Sequence, residues 1–166
     1  MFNIGEKVVY SNNGVCLVKD ITTLDISTAN KDKLYYVLQN IDTEAIAYIP
    51  TDSMVFLRLV MEEKEARALI DNIYNIEPFK FPNINTKETQ KICQDTINSH
   101  NPEKILALIK YLKILEKEKA KQKKKLSSTC ERYLSQAIMI ISSELSTATN
   151  ITRKDLEEII EKSIED

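Results

Sequence analysis

Two hydrophobic periodicities divide the chain. From residue 4 to about residue 59, apolar side chains come in short β-branched or aromatic runs: Val8-Val9-Tyr10, residues 15–18, Tyr35-Tyr36-Val37-Leu38, residues 46–49 and Val55-Phe56-Leu57. Turn-forming residues separate them, Asn12-Asn13-Gly14 and residues 28–32 and 40–43, and Pro50 closes the fourth run. Such runs predict five strands joined by tight connections. Five short strands over roughly sixty residues suit a small antiparallel barrel of the SH3-like or Tudor-like kind.

Beyond residue 59 the apolar period becomes helical. Residues 62–75 place Ala66, Leu69, Ile70, Ile73 and Tyr74 on one side, and Pro78 and Pro82 then break the pattern, leaving 76–86 as a connector. A second helix is predicted over 87–98, with Ile92, Cys93 and Ile97 inward. Asn101-Pro102-Glu103 supplies a cap, a proline at the first helical position and an early acid, so a third helix starts there, with Ile105, Leu108, Ile109, Leu112 and Leu115 as its stripe. A fourth covers 128–147, with Ser128 and Glu131 spaced as a capping box, and a fifth covers 153–164 behind Thr152. The fold class is therefore α+β, a β-barrel domain over 1–60 followed by an all-α domain over 61–166.

Both glycines, Gly5 and Gly14, fall in the first hairpin, which predicts that unusual backbone geometry is concentrated there. No apolar run approaches the roughly 18 residues that span a bilayer, and the N-terminus has no secretory pattern, so a cytoplasmic location and no membrane partner are expected. Cys16, Cys93 and Cys130 are far apart and odd in number, with His100 the one histidine, which argues against a metal site or a disulfide framework. No glycine-rich phosphate loop or nucleophilic triad can be assembled. A non-enzyme with no cofactor and no small-molecule substrate is expected.

Net charge is −2, but it is segregated. Residues 80–125 hold twelve lysines against five acids, and residues 144–166 hold seven acids against three basic residues. Such a distribution permits a basic face on an acidic protein, or a solvated helix end favoured by the macrodipole.

The opening order Phe2-x-x-Gly5-Glu6-x-Val8-Val9-Tyr10-x-x-x-Gly14 resembles the start of the CarD/CdnL family of bacterial RNA-polymerase-binding transcription regulators, a module shared with transcription-repair coupling factors. Tyr36-Val37-Leu38 and Ile49-Pro50 resemble that family's later strands. A second block, Leu126-Ser127 followed by Leu134, Ala137, Ile141, Glu144 and Leu145, resembles its Leu-Ser-x-x-Glu-x-x-x-Leu-x-x-Ala-x-x-x-Leu-x-x-Glu-Leu pattern, with Cys130 where the family has glutamate.

The resemblance implies that the barrel adds an exposed strand edge to the β subunit of RNA polymerase, and that the helical domain contacts promoter DNA and modulates open-complex stability. By position, polymerase contacts correspond to Thr23, Leu24, Asp25, Ile26 and Ser27, and the family's contacting arginine to Tyr48. Arginine is absent from all of these, so the ion-pair component is lost. DNA contacts are expected at Ile84, Thr86, Lys87, Lys91, Lys121, Lys123, Lys124 and Lys125. The family's tryptophan wedge has no counterpart, since the chain has no tryptophan, and the position falls near Thr86 or Ile84. Weaker promoter-DNA contact follows, because neither side chain offers both a broad stacking face and an N–H donor. A protein-protein adaptor whose helices do not bind DNA is the alternative.

Overall fold

A computed structural model of the chain describes residues 1–25, 32–80 and 86–165, the side chain of Thr86 excepted. Contacts gather into two units, Met1–Val60 and Met61–Asp166.

In the first unit, β1 (Lys7–Tyr10), β2 (Val15–Thr22), β3 (Tyr35–Asn40), β4 (Ile46–Pro50) and β5 (Leu57–Leu59) form one sheet in the order β4-β3-β2-β1-β5, with every pair antiparallel. Among the described residues no ladder joins β4 to β5. The expected barrel strands thus appear as a sheet with two ends.

One face of that sheet carries the core, in which Val8, Cys16, Val18, Tyr36 and Leu38 are buried. Strict alternation after Val18 would bring the Asp20 carboxylate onto this face. Instead the register skips Lys19, pairing Val18 with Leu38 and Asp20 with Val37, and this bulge turns Ile21 inward. Burying an unpaired carboxylate would cost more than the ladder bond that the bulge gives up.

Strand β5 begins two residues later than the Val55-Phe56-Leu57 run predicts. Val55 is held in the preceding turn, its N–H donating to Ser53 Oγ at 3.2 Å. Gly5 and Gly14 do adopt positive φ, +89° and +77°, but so do Ser11, Glu44, His100, Lys123 and Asn150. Ser11 lies in the first hairpin with them, while Glu44, His100, Lys123 and Asn150 carry such geometry to turns and caps elsewhere, so it is not confined to that hairpin.

The second unit comprises α1 (Glu63–Asp71), a 3-10 turn (Ile73–Asn75), α2 (Thr86–Asn98), α3 (Pro102–Lys121), α4 (Ser128–Thr149) and α5 (Arg153–Glu165). Helix α3 lies at its centre, where residues 105–110 are buried all around the helix. Because α1 ends at Asp71 and the chain tightens into the 3-10 turn, Tyr74 points outward, 49% exposed, against the inward position its spacing predicts. Asn101 caps α3 as expected, its Oδ1 accepting from the Lys104 N–H at 3.0 Å. At α4 the cap is Ser127, whose Oγ accepts from the Cys130 N–H at 3.2 Å, and not Ser128. Thr152 Oγ1 accepts from the Asp155 N–H at 3.1 Å and caps α5. No described helix is long and apolar enough to cross a membrane.

Two buried charged side chains tie these helices together. The Lys110 side chain, 2% exposed, sends its ammonium to the carbonyls of Ile73 at 2.6 Å, Ile76 at 2.9 Å and Ser163 at 3.5 Å. Burial pushes its pKa below the ordinary lysine value, with Glu77 opposing that shift. Glu144, also 2% exposed, accepts from the Met61 N–H at 3.0 Å ahead of α1. Lys110→Met fills similar volume but takes the ammonium donor from the Ile76 and Ser163 carbonyls, while Ile73 O keeps the Ile76 N–H, and should lower stability by about 2–4 kcal/mol in chemical denaturation. Unchanged stability would show that those carbonyls find other donors.

Candidate functional site

In an antiparallel ladder, every second residue of a strand exchanges hydrogen bonds with its neighbour, and the intervening residues point their N–H and C=O groups away. Asn40 N–H donates to Ala45 O and Thr51 N–H to Leu34 O, both at 2.9 Å, bracketing the β3–β4 ladder. The bonded positions on β4 are therefore Ala47 and Ile49. Those facing outward are Ile46 and Tyr48, and Pro50, with no N–H, ends the edge. Among the described residues no strand pairs with this edge. The side chains of the same two residues are also exposed, 46% for Ile46 and 52% for Tyr48. Their cross-strand neighbours Gln39 and Val37 are uncharged, so this corner of the sheet presents apolar side chains beside open backbone groups.

The opposite end of the sheet is less available. Ser11 N–H donates to Phe56 O at 2.9 Å and Val60 N–H to Lys7 O at 3.1 Å, which leaves Leu57 and Leu59 facing outward on β5. That edge has only three residues, and Arg58 Nη1 already donates to Leu59 O at 3.0 Å. The β4 edge is the longer and more open one.

Of the expected polymerase contacts, Tyr48 lies on that edge. Thr23, Leu24 and Asp25 follow the end of β2, which lies on the other side of β3 from β4 in the strand order, and Ile26 and Ser27 lie outside the described residues. Ile46 was not singled out by sequence. The signal was present in its spacing from Tyr48 on a strand that ends in proline.

In the helical unit, Lys87 and Lys91 are exposed one turn apart on α2, while Ile84 and the side chain of Thr86 lie outside the described residues. Lys121 ends α3, and Lys123, Lys124 and Lys125 form the turn that follows, all exposed. Lys124 N–H donates to Lys119 O and Lys123 N–H to Ala120 O, both at 2.9 Å, with Lys123 at φ +56°. This is a Schellman closure with lysine in the left-handed position that glycine usually takes. Lys119 and Lys125 border one cleft with Thr89 and Cys93 of α2, so α2 and the lysine turn flank a shared surface. Lys113 and Lys117, earlier on α3, are paired with Glu161 and Glu165 of α5.

Cys16 and Cys93 are buried, and burial pushes each thiol up to about 11, so both are protonated at neutral pH. Among the described residues no group of three His, Cys, Asp or Glu could hold a metal ion.

The model of the CarD-like/TRCF RID domain matches residues 2–61. The N-terminal unit is a CarD-like RNA-polymerase-interacting domain. This RID spans the five-stranded sheet with its open β4 edge, and it gives the protein an RNA polymerase partner and a role connected with transcription. No curated protein matches the chain.

Replacing Lys123 by glycine relieves the left-handed strain, partly offset by the freer unfolded chain. Thermal unfolding should show Lys123→Gly more stable than the parent by roughly 0.5 kcal/mol. A loss of stability would mean that the lysine side chain holds the turn.

Proposed function

We propose that this protein is a non-catalytic transcription regulator. Its RID docks on the β subunit of RNA polymerase by pairing an extended strand with the β4 edge, and its helical unit contacts promoter DNA through exposed lysines of α2 and the α3–α4 turn. One observation carries the docking mode: on β4 the residues with outward backbone groups, Ile46 and Tyr48, are the ones with exposed apolar side chains. In β-augmentation the backbone bonds supply affinity while alternate side chains select the partner.

DNA contact of this kind rests on lysine–phosphate attraction and weakens as salt rises. The absence of a tryptophan wedge leaves the lysines to supply it. A regulator of this type shifts promoter opening only through a difference in affinity for the closed and open complexes. The adaptor reading retains support because Lys113 and Lys117 already pair within the chain. Titration of a fork-junction duplex at low and high salt separates the two readings, since an adaptor shows no salt-sensitive binding.

Two prolines test the docking edge. The Tyr48 N–H points outward, so Tyr48→Pro should keep the sheet and reduce capture of a purified β-subunit lobe at least tenfold. Ala47→Pro removes a ladder donor and should unfold or strongly destabilise the unit. Full capture by a folded Tyr48→Pro protein would rule the edge out.

A further inference from the structure

Lys113, Lys117 and Lys121 stand four residues apart on α3 and form one ridge leading to Lys123, Lys124 and Lys125. Glu161 and Glu165, four residues apart on α5, meet its first two members. Lys113 Nζ lies 2.5 Å from Glu161 Oε1, and Lys117 Nζ lies 3.2 Å from Glu161 Oε2 and 3.4 Å from Glu165 Oε1. Lys121 and the turn lysines are exposed and make no ion pair among the described residues. Of the six lysines in the row, two are thus engaged and four open. Burial by itself would raise the Glu161 carboxyl, yet hydrogen bonds from Lys113 and Lys117 outweigh it and hold the group below its ordinary 4.5. Lys117 is correspondingly held above its ordinary 10.5, despite desolvation acting the other way.

We propose that the carboxylates of Glu161 and Glu165 stand in for phosphates on the lysine ridge, an intramolecular latch that a DNA backbone must displace to engage the whole row. This inference rests on the reading that the helical unit contacts DNA. The Lys117–Glu165 pair, with side chains 40% and 66% exposed, is weak and screened by salt, so the latch opens there first by side-chain movement, while Lys113 and Glu161 are more shielded, 17% and 35% exposed. Helix α5 itself stays packed through Leu156 and Ile160. In effect the chain limits its own affinity for polyanions and blunts its response to salt.

Fluorescence anisotropy of a labelled mixed-sequence duplex with the full chain, across a salt series, tests the latch. Glu161→Gln/Glu165→Gln should bind roughly fivefold tighter near physiological salt, with a log K against log salt slope steeper by up to about 2, as expected for two added phosphate contacts. Glu157→Gln/Glu158→Gln makes the same charge change at exposed positions on α5 and should gain much less. Adding Lys113→Gln/Lys117→Gln to the first variant should abolish its gain. An equal gain in the Glu157/Glu158 control would reduce the effect to net charge and overturn the latch. No gain, while Lys121→Gln/Lys124→Gln weakens binding, would overturn the latch and leave the DNA reading intact. If no variant binds duplex, the DNA reading fails and the latch fails with it.

Discussion

Lys110 carries its ammonium into the helical core to the carbonyls of Ile73, Ile76 and Ser163, of which Ile73 O also accepts from the Ile76 N–H at 3.2 Å. Backbone polar groups removed from water must be satisfied by something, and most of this fold can be traced to how they are. Glu144 does the converse, accepting from the Met61 N–H ahead of α1. The lysine turn after α3 closes its own carbonyls through two backbone bonds, although Lys123 must adopt a left-handed conformation to do so. Asn40 plays a similar part in the sheet, donating to Asn13 O at 2.6 Å and accepting from Asp42 and Thr43. Among the described residues, the β4 edge leaves the outward backbone groups of Ile46 and Tyr48 without a strand partner. A partner strand completes there what the chain does not.

The two proposed binding surfaces differ in physical character. Around Ile46 and Tyr48 the edge is uncharged, so affinity comes from directional backbone bonds and apolar burial, and depends little on salt. The lysine surface of the helical unit acts through Coulomb attraction, which is long-ranged, weakly directional and sensitive to salt. Acidic residues 144–166 are not a separate feature of the charge pattern. Part of that surplus is spent within the chain, where Glu161 and Glu165 neutralise lysines that sequence counting assigns to a basic face.

Helices were the most legible part of the fold, because their caps and periodicity are local: Asn101-Pro102 and Thr152 mark real helix starts. Strand runs were also legible, and the match over residues 2–61 agrees with the resemblance read in the opening hairpin. Features set by pairing across the chain were not. The bulge at Lys19 arises because Asp20 must avoid the core, and β5 shifts because Ser53 captures the Val55 N–H. Ser127 displaces Ser128 as the α4 cap through where the helix begins, which neighbouring serines leave undecided in the sequence. Lys110 counted as one more basic residue, since nothing in its spacing shows that residues 105–110 of α3 are buried all around. The edge itself depends on strand order, so Ile46 became visible only once β4 was placed at an end of the sheet.

The most direct test follows amide exchange residue by residue as a purified β-subunit lobe of RNA polymerase is added. Strand addition at β4 predicts that the Ile46 and Tyr48 amides gain protection, while Ala47 and Ile49, already bonded to β3, change little. Complex formation with no added protection at Ile46 and Tyr48, or with protection at Leu57 and Leu59 instead, would contradict the account.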